Sequence, residues 1–219
     1  MVLEIATVVA LAHQCAPSVA VETLVSVVHT ESRFNPYAIG INAKGVAAPD
    51  PADRASATTA ARSLIAHGYN IDLGLGQINS ANLKWLGLSV EDAFDPCRNL
   101  AAAARVLSAN YLSVVRSSPS TGAAIATAMS MYNTGSRTRG FGNGYVARVF
   151  ASSNIVVPAI RGELAPAAAV APAHPQASAL AVAPTPIAQV SWETSAGAQT
   201  ASLMVFERPS SASPKGKTE

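Results

Sequence analysis

Three short polar clusters interrupt an alanine-rich, largely apolar sequence: E-S-R-F-N-P from Glu31 to Pro36, D-L-G-L-G-Q-I-N from Asp72 to Asn79, and M-Y-N-T-G from Met131 to Gly135. The first holds the side chain best suited to chemistry. Val21, Leu24, Val25 and Val28 recur at the i, i+3, i+4, i+7 spacing of a buried helical stripe, and the next position on that stripe is Glu31. A carboxyl carried inward loses the hydration that favours its charged form. Near the C-terminal end of a helix it also meets the negative end of the helix dipole, so both effects raise its pKa. A Glu held partly neutral near neutral pH is the proton donor that acid-catalysed glycosidic cleavage needs. Taken alone, the residue fits an ion pair with Arg33 just as well, and that structural role is the commoner fate of a Glu.

These clusters need elements to position them. Proline and glycine divide the chain into a first helix after Pro17 and Ser18, bounded by Pro36, and a second opened by Asp50 and Pro51 and capped at Gly68. Asp95 before Pro96 starts a third, through Leu100, Ala104, Leu107 and Tyr111. Pro119 and Ser120 open a fourth that reaches Tyr132 and Asn133 and stops at Gly135, and a short last helix covers Tyr145 to Ala151. Strand signals are confined to Tyr69 to Asn79, where β-branched residues and glycines predict a small hairpin.

The length of 219 residues suits one domain and an appendage, because single-core domains usually run to ~100 to 150 residues. We place the domain at residues 1–157 and an Ala/Pro-rich linker with a disordered tail at 158–219. Such a composition cannot bury enough large apolar surface to offset its ordering entropy. Trp192 and the apolar island Leu203 to Phe206 are its exceptions, readable as a docking point or as part of the disorder. With 13% charged residues, a formal charge of +2 and no Lys/Arg cluster, the chain has no electrostatic footprint for nucleic acid. His29 and His67 are isolated and two cysteines are too few for a zinc site, so no metal and no cofactor are implied. Cys15 and Cys97 read either as one disulfide or as two unrelated buried thiols, a choice the redox compartment decides. The apolar run Ile5 to Ala12 is far shorter than the ~20 residues of a membrane span. It lacks the basic flank of a secretory signal as well, so neither a transmembrane anchor nor an export signal is evident.

In this order and spacing the three clusters resemble the goose-lysozyme-like lytic transglycosylases, whose pattern is E-S-x-F-x-P, then G-L-x-Q-I, then Y-N-x-G at a helix end. The form G-L-G-Q-I-N, the preceding Y-N-I-D and F-D-P-C-x-N-L at Phe94 to Leu100 further resemble the peptidoglycan-cleaving component of type IV secretion and conjugation systems. The resemblance covers about residues 11 to 153. It implies a mainly α, lysozyme-like domain in the periplasm, acting on peptidoglycan glycan strands, with secretion-channel subunits as partners of the tail.

For the site, the resemblance implies that Glu31 is the catalytic residue. Ser32, Gln77, Asn79, Tyr132 and Asn133 then form the substrate-binding set, with a Tyr132 hydroxyl able to reach Glu31 and a Gln77 amide able to bind an acetamido group. Phe34, Pro36 and Tyr37 are candidate cleft walls, although Phe34 fits core packing better. Asn79 serves equally well to close its turn. The family commonly has Met where this chain has Gly76, a departure that could widen a subsite. A disulfide between Cys15 and Cys97 would tie the Glu31 helix to the central helix and fits the periplasm. The same fold could instead support a hydrolytic lysozyme in which Asp72 positions water, or a non-catalytic wall-binding assembly factor.

Overall fold

A computed structural model describes residues 1–162. Its helices are α1 (Ile5–Cys15), α2 (Val21–Ser32), α3 (Arg54–Ala66), α4 (Leu83–Leu86), α5 (Pro96–Val114), α6 (Thr121–Thr134), α7 (Arg139–Gly142) and α8 (Tyr145–Ile160). Strands β1 (Ile39–Ile41), β2 (Ile71–Leu73) and β3 (Ile78–Asn79) form one antiparallel sheet in the order β1-β2-β3. Ile39 pairs with Leu73, Ile41 with Ile71, and Leu73 with Ile78. The domain is mainly helical, as the periodicity predicts, and the hairpin is the expected one. β1 is an addition, since a three-residue I-G-I strand is too short to show a period.

Local chemistry explains most boundaries. Asp95 accepts a hydrogen bond from the Arg98 amide at 3.0 Å, with Pro96 behind it in the first turn, and Ser120 accepts from Ala123 at 3.1 Å, so both predicted starts hold. The second predicted start moves. α3 begins after Asp53, not Asp50, because Asp53 and Ser56 form a reciprocal capping box: the Ser56 amide donates to Asp53 at 2.8 Å and the Asp53 amide to the Ser56 hydroxyl at 3.2 Å. The last helix is longer than predicted. Val146, Val149 and Val156 form a buried stripe that carries α8 past Ala151 to Ile160, with Pro158 in its final turn.

The apolar run at the N-terminus is itself a helix that the sequence reading leaves out. Val8 and Ala12 of α1 are buried, and the helix packs against α2, α5 and α8. Cys15 therefore ends α1 rather than preceding the first helix, and its disulfide to Cys97, with Cα atoms 5.4 Å apart, staples α1 to the start of α5. The Glu31 helix is held instead by packing: Leu24, Val25, Val27 and Val28 are fully buried, and α2 lies along α8. α5 lies along α6, and the sheet meets α3 through β2 and α5 through β3. Among the described residues no helix is long and apolar enough to cross a membrane. Trp192, the island Leu203 to Phe206 and nearly all of the Ala/Pro-rich segment lie outside the described residues.

Candidate active site

A cleft of about 450 Å³ opens between the end of α2, the sheet and the C-terminal end of α6. Glu31, Asp72, Gln77, Asn79, Tyr132 and Asn133 line it, so the three sequence clusters do converge. Ser32 does not line it; its hydroxyl turns back to the Val28 carbonyl at 3.2 Å, a bond available to any helical Ser. Phe34, Pro36 and Tyr37 do not line it either. Phe34 is a core residue, 5.2 Å from the His29 ring, and the chain reaches it through left-handed backbone at Arg33 and Phe34. That turn ends α2 directly beyond Glu31 and Ser32.

Glu31 takes the position that the stripe predicts, and no ion pair with Arg33 forms. Arg33 contacts His29 instead, at 3.1 Å. The Glu31 carboxylate accepts one hydrogen bond, from the Tyr145 hydroxyl at 2.5 Å. Burial pushes its pKa from 4.5 up to about 7; the Tyr145 bond and the Arg148 cation oppose this, and the negative charge of Asp72 adds to it. The hydroxyl that reaches Glu31 is thus that of Tyr145 and not of Tyr132. Tyr145 lies at the start of α8, outside all three clusters, and its one signal in the sequence was its place as first residue of a helix following two glycines. Tyr132 donates to the Gly76 carbonyl at 2.5 Å and so ties α6 to the hairpin turn.

The hairpin side of the cleft is built differently. Asp72 accepts from the Asn79 amide at 2.8 Å and the Asn42 amide at 2.9 Å. Asn70 and Asn79 exchange a pair of side-chain bonds at 3.0 and 2.6 Å, and Asn79 also accepts from the Ala81 amide at 3.0 Å. Asn79 therefore closes its turn while still lining the cleft. Burial raises the Asp72 pKa, and the two amide donors pull it back. Gln77 has a positive φ of 49° and donates its side-chain amide to the carbonyls of Ala38 at 3.1 Å and Gly74 at 2.9 Å. Those donors brace the turn against the strand before it. Only its amide oxygen, aimed toward Gly40, is left for a ligand.

A buried residue behind the turn completes it. Asn99, 1% exposed, accepts from the Gly76 amide at 2.7 Å and donates to the carbonyls of Leu73 at 2.9 Å and Ala93 at 2.7 Å. Each of these three bonds replaces one that water would make, so the turn is fixed without a buried orphan. A Cβ at Gly76 would lie 2.8 Å from the Ala103 Cβ and 3.0 Å from the Tyr132 hydroxyl. The missing side chain is thus on the α5 and α6 side of the turn, and its absence admits close packing rather than widening a subsite. At Gly74, with φ 72°, a Cβ would come 2.5 Å from the Asn99 amide nitrogen. Asn99 was visible as the Asn of F-D-P-C-x-N-L, but nothing in one sequence distinguished a buried clamp from a solvated polar residue. Asn133 lines the cleft and accepts from Asn143 at 2.9 Å. His29 is packed, 3.0 Å from the Ser152 hydroxyl, and among the described residues no group of three His, Cys, Asp or Glu side chains could hold a metal ion.

The arrangement is one carboxyl whose pKa is raised to about 7 and a second carboxyl held by two amides, both lining the same open polar cleft. The sequence comparisons agree with it. The family described as the transglycosylase SLT domain matches residues 9–148. The type IV secretion system protein virB1 of Brucella abortus is 40% identical over 173 residues, covering 74% of this chain and 72% of its own length. Protein virB1 of Agrobacterium tumefaciens is 40% identical over 149 residues, covering 68% of this chain and 62% of its own length. That of Agrobacterium fabrum is 37% identical over 147 residues, covering 67% and 59%. No solved structure gives a significant match. The chain belongs to the transglycosylase SLT domain family and is a peptidoglycan lytic transglycosylase with a lysozyme-like fold.

Proposed function

We propose that Glu31 serves as both acid and base in cleaving the β-1,4 bond between N-acetylmuramic acid and N-acetylglucosamine. Neutral Glu31 gives its proton to the bridging oxygen, and the bond from that oxygen to the muramic anomeric carbon breaks. The resulting Glu31 carboxylate takes the proton of the muramic C6 hydroxyl, whose oxygen closes on the anomeric carbon. Bond count and charge balance without water, and a 1,6-anhydromuramic end results. One carboxyl suffices because the nucleophile belongs to the substrate and is already positioned. Asp72, charged and aimed at the same cleft, offsets the positive charge that develops at the anomeric carbon. Tyr145 orients Glu31, while Gln77, Asn79, Tyr132 and Asn133 shape and contact the sugar subsites.

The observation that carries this reading is a carboxyl pushed up to about 7 in the wall of an open polar cleft. A second reading has a specific observation too. Asp72 lines the cleft beside Glu31, so a hydrolytic outcome in which it assists an attacking water uses the same groups. Purified protein incubated with sacculi separates the two by product mass. The transglycosylase reading expects anhydromuropeptides from wild type and none from Glu31→Gln; fragments heavier by one water, about 18 Da, support hydrolysis instead.

We further place the protein in the periplasm, opening the wall locally for a type IV secretion apparatus. The virB1 relatives support this by their names and their identity over most of the chain. Contacts with channel subunits are assigned to the segment after Gly162, on composition alone. Truncation there should leave sacculus digestion intact and lower secretion.

A further inference from the structure

Trp85 is a large apolar side chain left 44% exposed in a cleft that is otherwise mostly polar. It sits on α4, which continues from β3 through a single tight turn, so Asn79, Asn82 and Trp85 recur every third residue and all three line the cleft. The indole is held in place from two directions. Its N–H donates to the Asn82 side chain at 3.0 Å, and the Arg105 guanidinium lies 5.1 Å from the ring centroid. Arg105 does not itself line the cleft, whereas its neighbour Val106 does. Trp85 itself lines the cleft and stays 44% exposed, so part of the ring is open to that space.

An exposed aromatic held in a fixed orientation on the wall of a polar cleft is suited to a ligand that is flat, partly apolar and rimmed with polar groups. A pyranose is such a ligand. Its axial C–H bonds pack on a π-face while its hydroxyl and acetamido groups reach the surrounding amides. We propose that Trp85 is the stacking platform of a sugar subsite away from the scissile bond, with Arg105 and Asn82 holding the ring ready. This rests on the glycan-cleaving function proposed above and adds where the strand is gripped. Gripping the strand at a distance from Glu31 favours extended glycans over short fragments.

The test uses the full chain with Glu31→Gln, which cannot turn over, and Trp192→Phe, which leaves Trp85 as the only tryptophan. A tetrasaccharide of alternating N-acetylglucosamine and N-acetylmuramic acid is titrated while calorimetry and indole emission are followed together. The proposal expects a saturable change in Trp85 emission with the calorimetric midpoint, and about tenfold weaker binding in Trp85→Ala. Trp85→Phe, which keeps a ring in place, should recover most of the affinity; Arg105→Ala should weaken it only about two- to threefold. In the active chain the loss should fall on KM for long strands rather than on kcat. Binding by calorimetry with unchanged Trp85 emission and unchanged affinity in Trp85→Ala overturns the subsite but leaves the function standing. No binding at all overturns both.

Discussion

The two carboxylates of the cleft are both buried enough for their pKa values to rise, yet their surroundings divide them. Glu31 comes off the apolar face of α2 with a single hydroxyl donor, and burial pushes it up to about 7. Asp72 comes off a strand within a set of asparagines, and two amide donors counter its desolvation. Depth of burial and donor number act together: Glu31 is the more deeply buried and has one donor, while Asp72 is less buried and has two that pull its pKa back down.

Breaking the acid side should have the largest effect. Glu31→Gln is expected to lose at least about a thousandfold in kcat/KM on sacculi, since a general acid and base are removed together. The same variant should gain stability at high pH. The folded-state pKa lies above the ordinary 4.5, so folding takes up a proton between pH 4.5 and about 7, and native stability falls as pH rises through that window. Above it, Glu31→Gln should exceed wild type by roughly 2 kcal/mol, the full linkage value reduced for partial exposure; below pH 4.5 the two should melt alike.

Changes to the partners sharpen the contrast, because they should move the alkaline limb of kcat/KM in opposite directions. Asp72→Asn removes a charge that raises the Glu31 pKa, so activity should fall about ten- to a hundredfold and the limb should move to lower pH. Tyr145→Phe removes a bond that lowers it, so the limb should move to higher pH with a loss of about tenfold. Shifts in the same direction would mean that the two groups do not act on Glu31 separately. Asn99→Ala should have the smallest effect on activity, a few-fold mostly in KM, while costing about 2 to 4 kcal/mol in denaturant melts because three buried backbone groups lose their partner.

The helices and the buried carboxyl are legible in the sequence because each has a local signal: a 3.6-residue stripe that runs into Glu31, Asp95 with Pro96, Ser120 with Gly135. The rest depends on pairings between distant residues. Nothing in G-N-G-Y says that Tyr145 crosses 114 positions to reach Glu31, and Tyr132, the better-placed tyrosine on the sequence, spends its hydroxyl on Gly76. Gln77 and Asn99 likewise reveal themselves as braces only once their acceptors are known. α1 differs: its short apolar run carries no cap or period of its own, and only the burial of Val8 and Ala12 and the Cys15–Cys97 staple make it part of the core.

The claim beneath all of this is that Glu31 holds its proton near neutrality while Asp72 does not. Carbon-13 NMR of the side-chain carboxyl carbons, titrated in the full wild-type chain and assigned with Glu31→Gln and Asp72→Asn, measures it directly. The expected result is a Glu31 midpoint of about 7, with Asp72 already ionised at lower pH. A Glu31 midpoint in the ordinary carboxyl range near 4.5, or an Asp72 that titrates after it, would contradict the assignment of acid and counter-charge.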